Sequence, residues 1–178
     1  MSVQGDRVHD ECGVVGVYSK GEDVARVAFF GLFALQHRGQ ESAGIATGDG
    51  NVIRLRTAMG LITQSFQEDN LERLTGYVAI GHTRYSTTGS NHLRNAQPIL
   101  SSSGPVELAL AHNGNVINAV ELRQELEEQG CTFTSSTDSE VITHLLAWAP
   151  GNDWPEKVSY MMRRLQGAYS LVVTTKDT

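Results

Sequence analysis

The chain has 178 residues, of which 40% are hydrophobic and 19% charged, and its formal net charge is −6. This length and composition predict one compact globular domain rather than a disordered chain, and the negative charge argues against a general nucleic-acid binder. No segment approaches the roughly 18 apolar residues of a membrane-spanning helix, and two cysteines are too few for a disulfide framework, so a cytoplasmic protein is expected.

The first eleven residues are polar and lack the apolar stretch of a secretory signal, so they are either a frayed terminus or a propeptide. Cys12 follows them and opens a short buried strand over Gly13–Tyr18. A helix is predicted next, because apolar residues recur at helical spacing. It is expected to begin at Glu22 or Asp23 and to end before Gly39.

The middle of the chain is predicted to be mainly β-structure. Four segments rich in apolar or β-branched residues are predicted strands: Ser42–Thr47, Asn51–Thr57, Tyr77–His82 and Val106–His112. The first two flank Gly48-Asp49-Gly50, which predicts a hairpin. A short helix is expected over Gln67–Leu74. The last two strands lead directly into polar and glycine residues.

Helical patterns dominate the last third, where three helices are predicted: Asn118–Gln129, Asp138–Trp148 and Pro155–Leu165. The second has Thr137 or Asp138 as its cap, and Glu140 lies three residues after Thr137, as in a capping box. A final strand is expected over Ala168–Thr175. Strands and helices alternate without a regular βαβ rhythm, which favours a layered α+β fold over a doubly wound one.

Polar clusters stand at the ends of these elements, where rigid structure presents side chains to a cleft. They are Cys12, Gln36–Glu41, Gly81–Gly89, Ala111–Asn115 and a weaker one at Ser135–Glu140. Cys12 by itself is either an inert buried thiol or a nucleophile. In the second case, removal of the leader would leave on the same residue an α-amine with a pKa of about 8, suited to a general base.

Three further positions each allow a functional and a structural interpretation. Arg84 has the fork of donors that grips a carboxylate, or it forms a surface salt bridge. Asn113 and Gly114 offer an amide and a backbone N–H at one turn for an oxyanion, or they form an ordinary Asn-Gly turn. Asp138 accepts hydrogen bonds from a substrate ammonium, caps its helix, or does both.

The sequence predicts no metal site and no phosphate loop. His82, His112 and Cys12 lack the spacing of metal ligands. Cys131 follows Gly130 at the end of a predicted helix and is expected to be structural. The chain also has no glycine-rich loop of the kind that cradles nucleotide phosphates.

Taken together, the clusters resemble one family, the amidophosphoribosyltransferases, in its N-terminal glutaminase domain. These enzymes are class II glutamine amidotransferases of the N-terminal nucleophile (Ntn) hydrolase type. The matching stretches are Glu11–Gly16, Leu35–Thr47, Gly81–Gly89, Ala111–Asn115 and Ser136–Glu140. Sugar-phosphate-aminating relatives typically have the cysteine directly after the initiator methionine and a Tyr-Arg-Gly turn. The leader and the Gln-His-Arg-Gly-Gln-Glu segment therefore favour the purine-synthesis members.

The resemblance implies an α+β fold, a four-layer αββα sandwich of the Ntn hydrolase type. It also implies that residues 1–11 are a propeptide and that residues 12–178 are the glutaminase domain. Its catalytic positions fall on Cys12, the nucleophile with its own freed amine as base, and on Asn113 and Gly114, the oxyanion hole. The substrate-binding positions are Arg84, Thr87, Asp138 and Arg38. Arg84 and Thr87 would bind the α-carboxylate of glutamine, and Asp138 would bind its α-ammonium group. Arg38 would position groups beside the nucleophile.

The implied reaction is hydrolysis of glutamine to glutamate and ammonia. In the complete family enzyme the ammonia reaches phosphoribosyl pyrophosphate and yields phosphoribosylamine, the first step of purine synthesis. The phosphoribosyltransferase domain, with its Val-Asp-Asp type motif, is absent, so the chain is expected to be a fragment of a homo-oligomeric enzyme. No cofactor is expected in it; Mg²⁺ and, in some members, an iron–sulfur cluster belong to other parts of the family enzyme.

Two other functions fit the sequence. One is another class II amidotransferase that supplies ammonia to glutamate synthesis or to a sugar phosphate. The other is a non-catalytic module that keeps the Ntn fold as a structural or regulatory partner.

Overall fold

The computed structural model describes residues 12–85, 92–101 and 104–176. Strands β1 (Gly13–Tyr18), β2 (Ser42–Gly48), β3 (Ile53–Met59) and β4 (Val78–Arg84) form sheet A, in the order β1-β4-β2-β3. Strands β5 (Ile99–Ser101), β6 (Leu108–Val116) and β7 (Gly167–Thr174) form sheet B, in the order β5-β6-β7. Every pairing between these strands is antiparallel.

The helices fall into two groups along the chain. The first group is α1 (Val24–Ala34), α2 (Ile62–Ser65) and α3 (Glu68–Glu72), and the second is α4 (Ala119–Glu128), α5 (Asp138–Ala147) and α6 (Trp154–Arg164). Two short 3-10 turns cover Gln36–Arg38 and Leu93–Asn95. None of the helices in the described ranges is long and apolar enough to cross a membrane.

Three apolar clusters define four layers. One packs α1, α2 and α3 onto the outer face of sheet A, around residues such as Leu32 and Ile45. A second packs α4, α5 and α6 onto the outer face of sheet B, around Leu110 and Ile142. The third lies between the sheets and includes Ala46, Ile80, Ala109 and Ala111. The predicted α+β fold, an αββα sandwich, is confirmed.

The inner faces of the two sheets approach closely at glycine and alanine positions such as Gly44 and Ala109. A β-carbon added at Gly44 would lie 2.2 Å from the Gln97 carbonyl oxygen, so only glycine fits there. This close approach brings polar groups of the two sheets within hydrogen-bonding distance.

A buried set of hydrogen bonds, here called the inter-sheet bridge, joins His82 of β4, His112 of β6 and Gln97. His82 Nε2 and Gln97 Nε2 each donate to the His112 carbonyl at 3.1 Å, and Gln97 Oε1 accepts from the His112 N–H at 2.7 Å. Since a carbonyl can only accept, the proton of His82 lies on Nε2. Burial lowers the pKa of His82 to about 3, so the ring is neutral at physiological pH.

The bounds of several predicted elements change in the structure. The helix predicted to end before Gly39 is α1, and it ends earlier, at Ala34. The 3-10 turn Gln36–Arg38 completes the segment before Gly39. The ordinary Asn-Gly turn, one of the two interpretations left open for Asn113 and Gly114, does not form, because β6 continues through both residues to Val116. Its pairing with β7, in which Gly114 lies opposite Tyr169, overrides the local preference for a turn.

Candidate active site

Cys12 lies directly before Gly13, the first residue of β1. The register pairs Gly13 with Thr83, and Val14, two residues from Cys12, packs in the cluster between the sheets. Because side chains alternate along strands, Cys12 is on that same inner face, and so is Arg84 at the end of β4. The thiol is half-buried, and its Sγ lies 3.9 Å from the Tyr85 carbonyl oxygen.

The surroundings of the thiol act on its pKa in opposite directions. Burial is the largest effect and raises the pKa of Cys12, and the carboxylate of Glu41 raises it further. The positive charge of Arg84 lowers it, but the net shift is upward. A thiol with a raised pKa is less ionised at neutral pH, and it therefore needs a base close by if it is to act as a nucleophile.

Arg84 is not in a surface salt bridge, the alternative left open by its sequence. Its side chain is 14% exposed, and its Nη1 lies 3.7 Å from Oε1 of Glu41, whose side chain is 8% exposed. The same Nη1 donates weakly to the Asn95 carbonyl at 3.5 Å. Glu41 is a partner that sequence reasoning missed. Its place in the polar segment Gln36–Glu41, close to Arg38-Gly39, was the available signal.

The turn that carries Arg38 is bound tightly to β4. Thr83 Oγ1 donates to the Gly39 carbonyl at 2.5 Å, and a β-carbon at Gly39 would lie 2.7 Å from the Thr83 carbonyl carbon. Arg38 itself is half-buried and ends the 3-10 turn. The segment is thus fixed against the strand that ends in Arg84, beside the candidate site.

Asn113 reaches the inner face from sheet B. Ala109 and Ala111 pack between the sheets, so Asn113, two residues further along the same strand, is on that face as well. Gly114 has a φ of +145°, and a β-carbon there would lie 2.2 Å from the Ala168 carbonyl oxygen. Only glycine therefore fits opposite β7 at this position.

Asp138 joins the start of α5 to the end of β6. Its Oδ2 accepts from the Val116 N–H at 3.0 Å, and its Oδ1 lies 3.8 Å from His112 Nδ1. The helix cap is Thr137, whose Oγ1 accepts from the Glu140 N–H at 3.3 Å. Asp138 is therefore not the cap, and its side chain is 24% exposed.

Glu140 fixes the turn that precedes Asp138. Its two carboxylate oxygens accept four hydrogen bonds of 2.7 to 2.8 Å, from the N–H and hydroxyl groups of Thr134 and Ser135. Burial alone would raise the pKa of Glu140, but hydrogen bonds from His144, Thr134 and Ser135 outweigh it and lower the pKa to about 2. The start of α5 is thereby held rigidly.

The structure brings together Cys12, Arg84 and Glu41 from three separate segments, and Asn113 lies on the inner face of the other sheet. Thr87 and the predicted propeptide, residues 1–11, lie outside the described residues. Within residues 12–85, 92–101 and 104–176, no group of three or more His, Cys, Asp or Glu side chains could hold a metal ion.

A family model described as a glutamine amidotransferase domain matches residues 82–178. The amidophosphoribosyltransferase of Synechococcus elongatus is 51% identical over 174 residues, which cover 97% of this chain and 35% of that protein. The amidophosphoribosyltransferase of Methanothermobacter thermautotrophicus is 50% identical over 174 residues, which cover 93% of this chain and 36% of that protein. The chain thus spans about a third of the length of the curated relatives it matches.

Two solved structures are similar in fold as well as in sequence. One is described as the allosteric regulatory enzyme of purine biosynthesis, with a TM-score of 0.84. The other is the glutamine phosphoribosylpyrophosphate amidotransferase from B. subtilis complexed with ADP and GMP, with a TM-score of 0.81. Each is 40% identical to this chain, and each alignment covers 92% of this chain and 35% of the solved one.

Proposed function

Because the chain belongs to the glutamine amidotransferase domain family, we propose that it hydrolyses glutamine to glutamate and ammonia, with Cys12 as the nucleophile. The observation that carries the proposal is the position of Cys12 and Arg84 at one end of the inner face of sheet A. The thiol stands there within reach of the charge of Arg84, a cation of low exposure, and Asn113 lies on the inner face of the opposite sheet.

The first chemical step is attack of the Cys12 sulfur on the side-chain amide carbon of glutamine. The carbonyl oxygen becomes an oxyanion, for which the Asn113 amide and the Gly114 N–H are the proposed donors. Loss of one such donor costs about 3 kcal/mol of transition-state stabilisation. The carbon–nitrogen bond then breaks, the nitrogen takes up a proton and leaves as ammonia, and water hydrolyses the glutamyl thioester to glutamate and the free thiol.

The base in this mechanism is the α-amine of Cys12, which requires that residues 1–11 be removed as a propeptide. While Glu11 is attached, the Cys12 nitrogen is a peptide nitrogen and cannot accept a proton. The raised pKa of the buried thiol makes a base on the same residue useful. We propose that the Cys12 thiol attacks the Glu11 carbonyl. The peptide bond from Glu11 to the Cys12 nitrogen breaks as the thioester forms, and the nitrogen takes up the thiol proton. Water then hydrolyses the thioester, which releases the leader with a free carboxylate and leaves the Cys12 thiol and amine free.

The substrate is held at its α-carbon by charged groups. The α-carboxylate is proposed to bind Arg84 with help from Thr87, and the α-ammonium group to bind Asp138. One oxygen of Asp138 is already engaged with the Val116 N–H, which fixes the direction of the carboxylate. Arg38, on the turn bound to β4, is proposed to position groups beside the nucleophile.

In the complete protein, the ammonia is proposed to pass to phosphoribosyl pyrophosphate, with residues 12–178 as the glutaminase domain. Its partner would be a phosphoribosyltransferase domain of the same chain, in a homo-oligomeric enzyme that uses Mg²⁺. An iron–sulfur cluster does not fit the residues described here, because a cluster takes about four thiolate ligands and the free cysteines are Cys12 and the buried Cys131.

The test compares Cys12→Ala with the unsubstituted chain and with Cys131→Ala. We expect Cys12→Ala to abolish glutamine hydrolysis while circular dichroism shows an intact fold, and Cys131→Ala to retain activity. Intact-mass spectrometry should show loss of residues 1–11 from the active protein, and a glutamine-analogue electrophile should label Cys12. Full activity in Cys12→Ala would exclude the proposed nucleophile. A chain that neither loses its leader nor reacts with the electrophile would be a non-catalytic module.

A further inference from the structure

Glu41 carries a buried carboxylate that the proposed mechanism does not use. Within the described residues, neither of its two oxygens accepts a hydrogen bond, and both are inaccessible to solvent. The cation beside it is Arg84, whose Nη1 lies 3.7 Å from Glu41 Oε1. Burial of a carboxylate is strongly unfavourable unless a cation compensates for the lost hydration. Glu41 therefore depends on Arg84 in its present position.

The backbone holds the two residues in a fixed relation. The Glu41 N–H donates to the Arg84 carbonyl at 3.0 Å, and the Glu41 carbonyl accepts from the Gly60 N–H at 2.7 Å. Ser42, the next residue, is opposite Arg84 in the β2–β4 ladder. Neither residue can move without breaking hydrogen bonds of sheet A, so the pair is built into the sheet.

In the part of the chain that the structure describes, only long or weak contacts occupy the guanidinium of Arg84. A separation of 3.7 Å from Glu41 is too long for a hydrogen bond, and the contact with the Asn95 carbonyl, at 3.5 Å, is a weak one. A guanidinium has five N–H donors in a planar fork. Glu41 thus attracts the guanidinium from one side without saturating it, which leaves donors for a second carboxylate.

We propose that Glu41 is a positioning residue for glutamine binding: its carboxylate holds the Arg84 guanidinium so that the remaining donors face the α-carboxylate of the substrate. The inference rests on the proposed glutaminase function. Glutamine in place of glutamate at this position keeps the shape but removes the charge that orients Arg84. We expect Glu41→Gln to weaken binding of ligands that carry the α-carboxylate by about tenfold.

The experiment measures how well a ligand protects Cys12 from alkylation by iodoacetamide, a readout that does not need turnover. Three ligands are compared: L-glutamine, glutaramate, which lacks the α-amine, and γ-aminobutyramide, which lacks the α-carboxylate. Each is titrated against the unsubstituted chain, Glu41→Gln and Glu41→Asp. The matched control is Glu72→Gln, which removes the same charge from an exposed position on α3.

If Glu41 acts through Arg84, Glu41→Gln should weaken the binding of L-glutamine and of glutaramate, measured by protection of Cys12, about tenfold. The binding of γ-aminobutyramide should not change. Glu41→Asp should recover part of that loss, and Glu72→Gln should lose nothing. The inference is overturned if Glu41→Gln leaves all three ligands unchanged, weakens all three equally, or weakens only those that carry the amine. In the last case, Glu41 would bind the substrate ammonium directly. If L-glutamine fails to protect even the unsubstituted chain, the proposed function itself is wrong.

Discussion

Mild acid is expected to destabilise the domain. The variant His82→Gln should lose less of its free energy of unfolding in mild acid than the unsubstituted chain does. His82 is fully buried, and burial lowers its pKa from 6.5 to about 3. Between these values the unfolded chain binds a proton that the folded chain does not. The stabilising contribution of the neutral ring is therefore fully present above pH 6.5 and is lost progressively as the pH falls toward 3.

The size of the effect follows from the width of that window. Each pH unit changes the free energy of unfolding by about 1.4 kcal/mol for each such group. From pH 6.5 to 4.5, His82 alone accounts for roughly 3 kcal/mol, out of a total of about 5–15 kcal/mol for a typical domain. Burial lowers the pKa of His112 too, against the opposing charge of Asp138, so His112 adds a loss of the same sign.

The assay is urea unfolding at pH 7, 5.5 and 4.5. In His82→Gln, the new amide can still donate to the His112 carbonyl, but it does not titrate. The variant should therefore lose roughly 3 kcal/mol less than the unsubstituted chain across this range. His37→Gln is the control, because His37 is exposed and meets solvent in both states. The reasoning would be refuted if the free energy of unfolding fell equally with pH in His82→Gln and in the unsubstituted chain, at unchanged m-values.

Three further predictions concern the site and its support. Arg84→Lys should raise the KM for glutamine by about tenfold or more, because a fork of donors becomes a point charge; steady-state kinetics with an unchanged KM would contradict this role. Gly114→Ala should lower the melting temperature and the activity together, since its β-carbon would meet the Ala168 carbonyl oxygen at 2.2 Å; an unaltered melting curve would count against that clash. Glu140→Gln should cost about 3 kcal/mol at pH 7, because the native carboxylate has its pKa lowered to about 2. That difference should shrink as the pH falls from 4.5 toward 2, and a difference independent of pH would disprove it.

Features of the fold that depend on neighbouring residues were predictable from the sequence. Asp23 caps α1 by accepting from the Arg26 N–H, and Thr137 caps α5, each within one turn of chain. The hairpin of β2 and β3 also follows from its local glycine turn. Such signals involve residues three or four positions apart, so a sequence displays them directly.

Features that depend on distant partners could not be predicted from a local pattern. Asn113-Gly114 favours a turn by itself, yet pairing with β7 makes it part of a strand. Glu41 and Arg84 stand far apart in sequence, and only the β2–β4 ladder brings them together. The three-residue strand β5 is too short to give a pattern. The shared inner face of Cys12 and Arg84 likewise comes from the register of β1 and β4.

The order of strands in sheet B also has a consequence during protein synthesis. Asn113 and Gly114 lie opposite Ser170 and Tyr169 of β7, which leaves the ribosome long after Cys12 does. Until β7 emerges, β6 lacks one of its two partner strands, and the proposed oxyanion donors have no fixed geometry. A nascent chain would thus expose a thiol but not a working site. Glutamine hydrolysis through these proposed donors would then begin only after β7 has joined sheet B.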